Sequence, residues 1–473
     1  MGIMDKMRTN MRDWLLTGMS GGGSLTNMSE NSRTLEYDVW YKGKEEELAR
    51  FYTNFNWNEQ YVRVKENYLY ANTLDTERIV HSGIPRLVAD TMARLIFSGG
   101  VDIAEENAQD TLDAIIKDNR MNKQHAEGGS LESGYGKFAY KLSYDSDLSE
   151  WTIIETIKAC DYDTLKVRER IQEFHFFTAF EEDNKKYRLT EIYGKGYIDY
   201  KLERKSGTEW KPASLTATRF TSELTRVEFT PKVILAMEKT NKTIEGRSDY
   251  EGLISEFDTL DEFWSSFSEE GRNAKVEKYV DEAFLNNGQI PPRIAKNYYR
   301  LSTHPDKEVK IDYQQPDFRA DTWSEGIKVV IDNVLLNVGL SPATVGIDNA
   351  GGNTSAESRR VMERSSLRTR AERIELWDEF LTEFYELVLI AQDIFTKSTV
   401  GKYEVVVQFG EYIVDTLEDR VKAVKELTFS QVIDTEFALE MVFGDTIDDK
   451  TRKRILQNLG EEVVEEVTEE DDE

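Results

Sequence analysis

The sequence predicts an α+β protein, and three observations carry that expectation. Apolar residues recur at steps of three and four through 75–97, 249–272, 321–338 and 355–397, the spacing of a helix face. Between Phe138 and Phe229, runs of β-forming residues are separated by turn residues, the pattern of an antiparallel meander. The 473 residues include 22 Phe, 22 Tyr and 8 Trp, enough aromatic mass to exclude disorder throughout.

Composition narrows the function classes. The chain is 32% charged with a formal net charge of −29, so it should be soluble and should repel free nucleic acid at long range. It lacks the basic footprint of a DNA clamp. Cys160 is the single cysteine, which rules out an intrachain disulfide and reads as a small buried hydrophobe. No run of about 18 apolar residues is present to form a membrane-spanning helix. Met1 to Leu16 lacks a signal-peptide core, and Lys6 breaks the myristoylation pattern. The chain is expected to act where it is made or to leave in an assembly.

Taken in order, residues 1–17 read as a short amphipathic helix and Gly18 to Ser24 as a flexible break. Helices are expected at 44–52, at 75–97 with Pro85 a kink or boundary, and at 106–120. Strands are expected at 138–144, 151–157, 173–180, 187–193, 197–203 and 226–229, closing an α+β unit near Thr230-Pro231. From Asp249 a helix places Leu253, Phe257, Leu260, Trp264 and Phe267 on one face and Glu256, Asp261, Glu262 and Glu269 on the other. Residues 273–320 are irregular, with a strand at Val309–Tyr313. Thr322-x-x-Glu325 reads as a capping box opening a helix that stops at Gly339.

A loop at 341–353 follows, and Thr354-x-x-Glu357 opens a helix over 355–397. At 1.5 Å per residue, that helix would be roughly 65 Å long, more than an ordinary compact domain is wide. Its C-terminal half carries an apolar stripe from Trp377 to Phe395. Its N-terminal half carries Arg359, Arg360, Arg364, Arg368, Arg370 and Arg373, which need partners beyond the helix itself. A strand follows at 403–409, then helices at 416–427, 435–443 and 446–459, then an acidic tail.

Catalytic motifs are missing: the chain has no P-loop, no His-Glu-x-x-His and no Gly-x-Ser-x-Gly. His81, His125, His175 and His304 lack metal-ligand spacing, so structural or surface roles are expected. Asp258, Asp261 and Glu262 could bind Mg²⁺ on one helix face, but a solvated acidic face is the favoured reading. No cofactor, no metal and no enzyme activity are expected. The arginines read either as an exposed face paired with Glu357, Glu363, Glu372 and Glu375, or as intersubunit or phosphate contacts. The loop exceeds the usual 2–8 residues between helices, which marks a functional tip.

The order of these elements resembles the portal proteins of tailed bacteriophages, in the SPP1-like layout of long-tailed phages. Gly246-Arg247-Ser248-Asp249-Tyr250-Glu251-Gly252-Leu253-Ile254 looks like the opening of that family's first stem helix. The irregular insert, second helix, Gly339-Leu340-Ser341-Pro342 turn, loop, and Ser355-Ala356-Glu357-Ser358-Arg359 into a long helix repeat its order. The resemblance spans roughly residues 30–460. It implies a ring, typically of twelve subunits, at one capsid vertex. Double-stranded DNA would pass non-specifically through the ring during packaging by the terminase and later ejection.

Carried over by position, 1–24 is an N-terminal arm, 25–248 an α/β wing, 249–272 and 321–340 helical stem segments, and 273–320 a small α/β clip. Residues 341–354 correspond to the tunnel loop, 355–427 to the long helix and returning wing strand, and 428–473 to a helical crown with its tail. The resemblance implies Asp348, Asn349, Gly351, Gly352 and Asn353 at the channel. Arg359, Arg360, Arg364 and Arg368 would lie at subunit contacts or the channel. Tyr298, Tyr299, Arg300 and His304 would lie where the large terminase subunit and a head-completion adaptor dock. Major capsid and scaffolding proteins are further implied partners. The location would be the virion, with assembly in the host cytoplasm. Two alternatives stand beside this reading: a capsid-associated scaffold or adaptor without DNA passage, and a cytoplasmic enzyme with a dispersed carboxylate site.

Overall fold

The computed structural model describes residues 25–54, 68–71, 79–207, 209–274, 277–281, 298–301, 311–314, 317–347, 356–396 and 399–410. The fold is mixed helix and sheet, as the sequence predicts. Helices α1 (Leu25–Lys42), α2 (Glu45–Asn54), α3 (Ile84–Phe97), α4 (Gln109–Asp118) and α5 (Met121–Tyr135) open the chain, with β1 (Val101–Glu105) between α3 and α4. Strands β2 (Lys137–Ser143), β3 (Ile153–Lys158) and β10 (Ala236–Thr240) form one antiparallel sheet in the order β10-β2-β3.

A second sheet runs β4 (Tyr162–Val167), β5 (Arg170–Glu182), β6 (Lys185–Gly194), β7 (Tyr197–Ser206) and β8 (Glu209–Ala213), with β9 (Val227–Glu228) beside β7. Its hairpin turns are tight. Asp183 and Asn184, both at positive φ, make the two-residue link from β5 to β6 that matches strand twist. The expected meander is therefore two sheets. The N-terminal unit does not close at Pro231, because β10 returns to pair with β2.

Helix α3 starts at Ile84 rather than at 75. Gly83 stands before it at φ 72°, and Pro85 occupies its first turn, where a missing N–H is no loss. The described residues 79–83 are not helical, and the apolar spacing of Ile79 and Val80 is coincidental. The helix expected at 106–120 is α4 alone: Arg120 at φ 53° ends it, and α5 begins one residue later.

Helix α6 (Ile254–Asn273) leads to a small sheet of β11 (Glu277–Asp281), β12 (Tyr298–Leu301) and β13 (Ile311–Gln314). There β11 pairs parallel with β12 and antiparallel with β13. Helix α7 (Ala320–Val338) returns antiparallel to α6. It begins two residues before Thr322, so the expected capping box is not its start, and no side chain caps it. Gly339 does end it, at φ 80°. Helix α8 (Ala356–Thr396) runs 41 residues, about 60 Å at 1.5 Å per residue. Strand β14 (Val405–Phe409) then pairs antiparallel with β1, Val101 opposite Phe409.

The main core lies between α8 and the β2 sheet. Trp377 stacks near Phe138, Phe384 lies 4.5 Å from Tyr140 between ring centroids, and Phe395 stacks on Tyr144. Trp377 is fully buried there, and Trp40 is fully buried among Tyr52, Tyr70 and Phe257. Cys160 is half-buried rather than buried, with its thiol against Thr34 O. The expected elements at 1–17, 416–427, 435–443 and 446–459, and the tail, lie outside the described residues.

Candidate functional site

Helices α6 and α7 form a two-helix arm held by aromatic pairs. Phe263 meets Trp323 edge to face at 5.8 Å, and Phe267 lies 5.1 Å from Phe318. A β-carbon on Gly326 would stand 3.4 Å from the Phe263 ring, an ordinary contact. Glu270 accepts from Trp323 Nε1 and, at 3.0 Å, from Arg319 Nε. These donors hold its carboxyl below the usual range. The outward side of α7 keeps two large apolar residues in solvent. Val329 is 68% and Leu336 73% exposed, seven residues apart and therefore on one face.

The turn after α7 is seated on α8. Thr369 Oγ1 donates to Gly339 O at 2.9 Å, and Ser341 N donates to Ser366 Oγ at 2.8 Å. A β-carbon on Gly339 would meet Thr369 Oγ1 at 2.5 Å, so both positive φ and close approach require glycine. Pro342–Val345 is a 3₁₀ turn. Of the loop, 341–347 is thus ordered on α8, while Asp348, Asn349, Gly351, Gly352 and Asn353 lie outside the described residues.

The arginine cluster separates into distinct environments. Arg359 and Arg360 lie on the first turns of α8, and their side chains are outside the described residues. Arg364 and Arg368 are exposed, and Arg368 pairs with Glu372 at 3.1 Å, the i,i+4 pairing expected. Arg370 reaches back to two backbone oxygens, Leu95 O at 2.8 Å and Gly410 O at 2.6 Å.

Arg373 is buried, which neither reading of the cluster anticipated. Its Nη2 lies 2.8 Å from both Asp249 oxygens, and its Nη1 donates to Asn241 Oδ1 and faces Glu132 Oε1 at 3.5 Å. Lys242 Nζ and Ser133 Oγ also bond Asp249, each at 2.7 Å. Burial would raise the Asp249 carboxyl, but Arg373 and Lys242 outweigh it and hold the group below the usual range. Glu132 accepts Trp377 Nε1 at 2.6 Å and faces Lys239 at 3.7 Å. Burial pulls the Lys239 amine down despite Glu132. This clamp ties α5, β10, the turn before α6 and α8 together. One signal was available: 373, 377, 380 and 384 are in phase, so Arg373 lies on the apolar stripe.

The expected solvated acidic face on α6 is corrected. Asp258 and Asp261 are buried and accept hydrogen bonds from residues 69–82. His81 is outside any helix and faces Asp261, and His125 is buried between Tyr140 and Tyr385. Tyr298, Tyr299 and Arg300 form β12 with side chains outside the described residues, and His304 is outside altogether. Among the described residues, no group of three or more His, Cys, Asp or Glu could hold a metal. None of the described helices is long and apolar enough to cross a membrane. A groove of about 1210 Å³ opens between α3, α5, β3 and β5, where Lys141 pairs with Glu155 and Glu191.

No family model and no curated protein matches the chain. Several solved structures resemble it, three of them components of gene transfer agent particles. The first is the virion of a native gene transfer agent particle, at 9% identity and a TM-score of 0.38, covering 76% of this chain and 88% of that one. The neck of the native particle, computed with C12 symmetry, gives 10%, 0.35 and the same shares. The neck of the empty particle, computed with C6 symmetry, gives 10%, 0.37, 81% of this chain and 93% of that one.

Proposed function

We propose that this chain is a portal-type subunit of a phage-like particle. It closes into a ring, near twelve copies, at one capsid vertex and passes double-stranded DNA without acting as an enzyme. The observation that carries this reading is the pair of large apolar residues that α7 leaves in solvent. Val329 and Leu336 sit in solvent on a helix whose other side is already packed against α6. The arm ends in a small sheet, and a 41-residue helix follows it. Two large apolar residues on the outer side of a helix pair suit a neighbouring copy, and a head-to-tail neighbour generates a ring where the rotation closes.

In this reading 249–272 and 321–340 are the stem, 273–320 the clip, 341–354 the tunnel loop and 428–473 the crown. Asp348, Asn349, Gly351, Gly352 and Asn353 touch passing DNA, and Arg359, Arg360, Arg364 and Arg368 serve subunit contacts or the bore. Tyr298, Tyr299, Arg300 and His304 meet the large terminase subunit and then a head-completion adaptor. The net charge of −29 per copy suits a wall that DNA slides past, because each phosphate contact would add salt-dependent affinity.

Electron microscopy of the assembled protein, viewed down its symmetry axis, tests the proposal. A closed ring with an opening wide enough for duplex DNA is the expected image. A solid particle, or a chain that stays monomeric in assembled heads, would overturn it.

A further inference from the structure

Three side chains on one face of α6 take the place of a strand partner for the chain before α3. Asp258 accepts the Leu69 backbone N–H with both oxygens, at 3.1 and 3.2 Å. Asp261 accepts the Tyr70 hydroxyl at 2.9 Å and Ser82 N at 2.8 Å, and faces His81 Nδ1 at 2.7 Å. Ser265 Oγ accepts Val80 N at 2.9 Å. Positions 258, 261 and 265 share one helix face. Asp258 is 6% and Asp261 0% exposed.

Among the described residues, the charged neighbours are mostly acidic. Glu36 of α1 and Glu45 of α2 approach Tyr68 and Tyr70, and Glu256 and Glu262 flank the two aspartates on α6. Among the described residues no lysine or arginine forms an ion pair with either aspartate, and the His81 imidazole is the basic group in contact. Two carboxylates one helical turn apart in a dry setting cannot both ionise cheaply. Burial, then the nearby Asp261 and Glu262, push the Asp258 carboxyl up to about 7 against the pull of Leu69 N.

We propose that this ladder is a proton-controlled latch: residues 68–71 and 79–83 dock on α6 while Asp258 holds its proton, and loosen from it when that proton leaves for solvent. The neutral carboxyl still accepts the Leu69 N–H through one oxygen. The carboxylate accepts that N–H more strongly, but it is a buried charge facing Asp261 across one turn, and those two costs outweigh the gain. Helix α6 continues into β11, so the latch sits at the root of the arm that carries the small sheet.

Hydrogen exchange of the full chain between pH 6 and pH 8, corrected for the intrinsic rise of exchange with pH, tests this. Protection of the Val80 and Ser82 amides should fall about tenfold, the linkage expected one pH unit above the carboxyl's midpoint. Asp258→Asn keeps an acceptor for Leu69 without the charge, and its protection should stay level. Flat protection in the parent chain would overturn the latch, as would an equal fall in Asp258→Asn. His81→Gln distinguishes the imidazole. A fall that persists in it supports Asp258, and one that vanishes there while persisting in Asp258→Asn overturns the assignment.

Discussion

Arg373 and Asp249, 124 residues apart, form a buried ion pair in which one guanidinium nitrogen lies 2.8 Å from both carboxylate oxygens. The pair joins the long helix to the turn that launches α6. Replacing Arg373 with Met would leave Asp249 and Glu132 buried without their shared cation. Breaking a buried pair from one side costs about 3–5 kcal/mol. Chemical denaturation should register that loss. Asp249→Asn in the same chain should recover part of it, because one stranded charge is then removed; strict additivity of the two changes would count against the clamp.

Gly246 and Gly252 separate backbone strain from collision on the same turn. Both have positive φ, 86° and 84°. A β-carbon on Gly252 meets nothing within 4 Å, whereas one on Gly246 would stand 2.5 Å from Gly136 O. Gly252→Ala should therefore cost only the left-handed penalty, about 1–2 kcal/mol. Gly246→Ala must also push two backbone segments apart and should cost clearly more. Equal midpoints in urea would contradict that account.

What could be read from the sequence was local. The stripe through Trp377, Phe380 and Phe384 and the stop at Gly339 follow from periodicity and from one conformational need. Helix α5 escaped notice because Gly128, Gly129 and Gly134 sit where apolar side chains would mark a face. In the fold those positions admit Phe138, Phe97 and Tyr41, so the aromatic mass comes from other elements. The burial of Asp258 and Asp261 was hidden because their donors lie nearly 180 residues away or more. Polarity alone looks the same on a solvated face and on a satisfied buried one.

His125 makes an acid-sensitivity prediction. Burial lowers its imidazole to about 3, and both ring nitrogens face tyrosine hydroxyls, Tyr140 at 3.0 Å and Tyr385 at 2.8 Å. The unfolded chain protonates this histidine near 6.5. Because the folded value is depressed, its contribution is intact above pH 6.5 and is lost as pH falls toward 3. At pH 5 the loss should be about 2 kcal/mol. His125→Gln should be less stable at pH 7 but lose less between pH 7 and pH 5, seen in unfolding midpoints across that range. Parallel curves for the two proteins would show that His125 takes up its proton in the fold as readily as in the unfolded chain, and would overturn this account.

The outer face of α7 offers the sharpest test of ring assembly against folding. Val329 and Leu336 contribute little to the single chain, being 68% and 73% exposed. Changing both to Glu should leave the unfolding free energy of the monomer within about 0.5 kcal/mol of the parent per substitution, as for other surface substitutions. In a ring, the same two positions would bring apolar area of one copy against the next. Losing the burial of one Val and one Leu side chain per contact, at about 1.5 kcal/mol each, would weaken every joint by roughly 3 kcal/mol. Closed assembly multiplies that deficit around the circle, so native mass spectra should shift from rings to single chains while folding is untouched. If the doubly charged variant assembles as the parent does, the neighbour contacts some other face, and α7 is not the seam between copies.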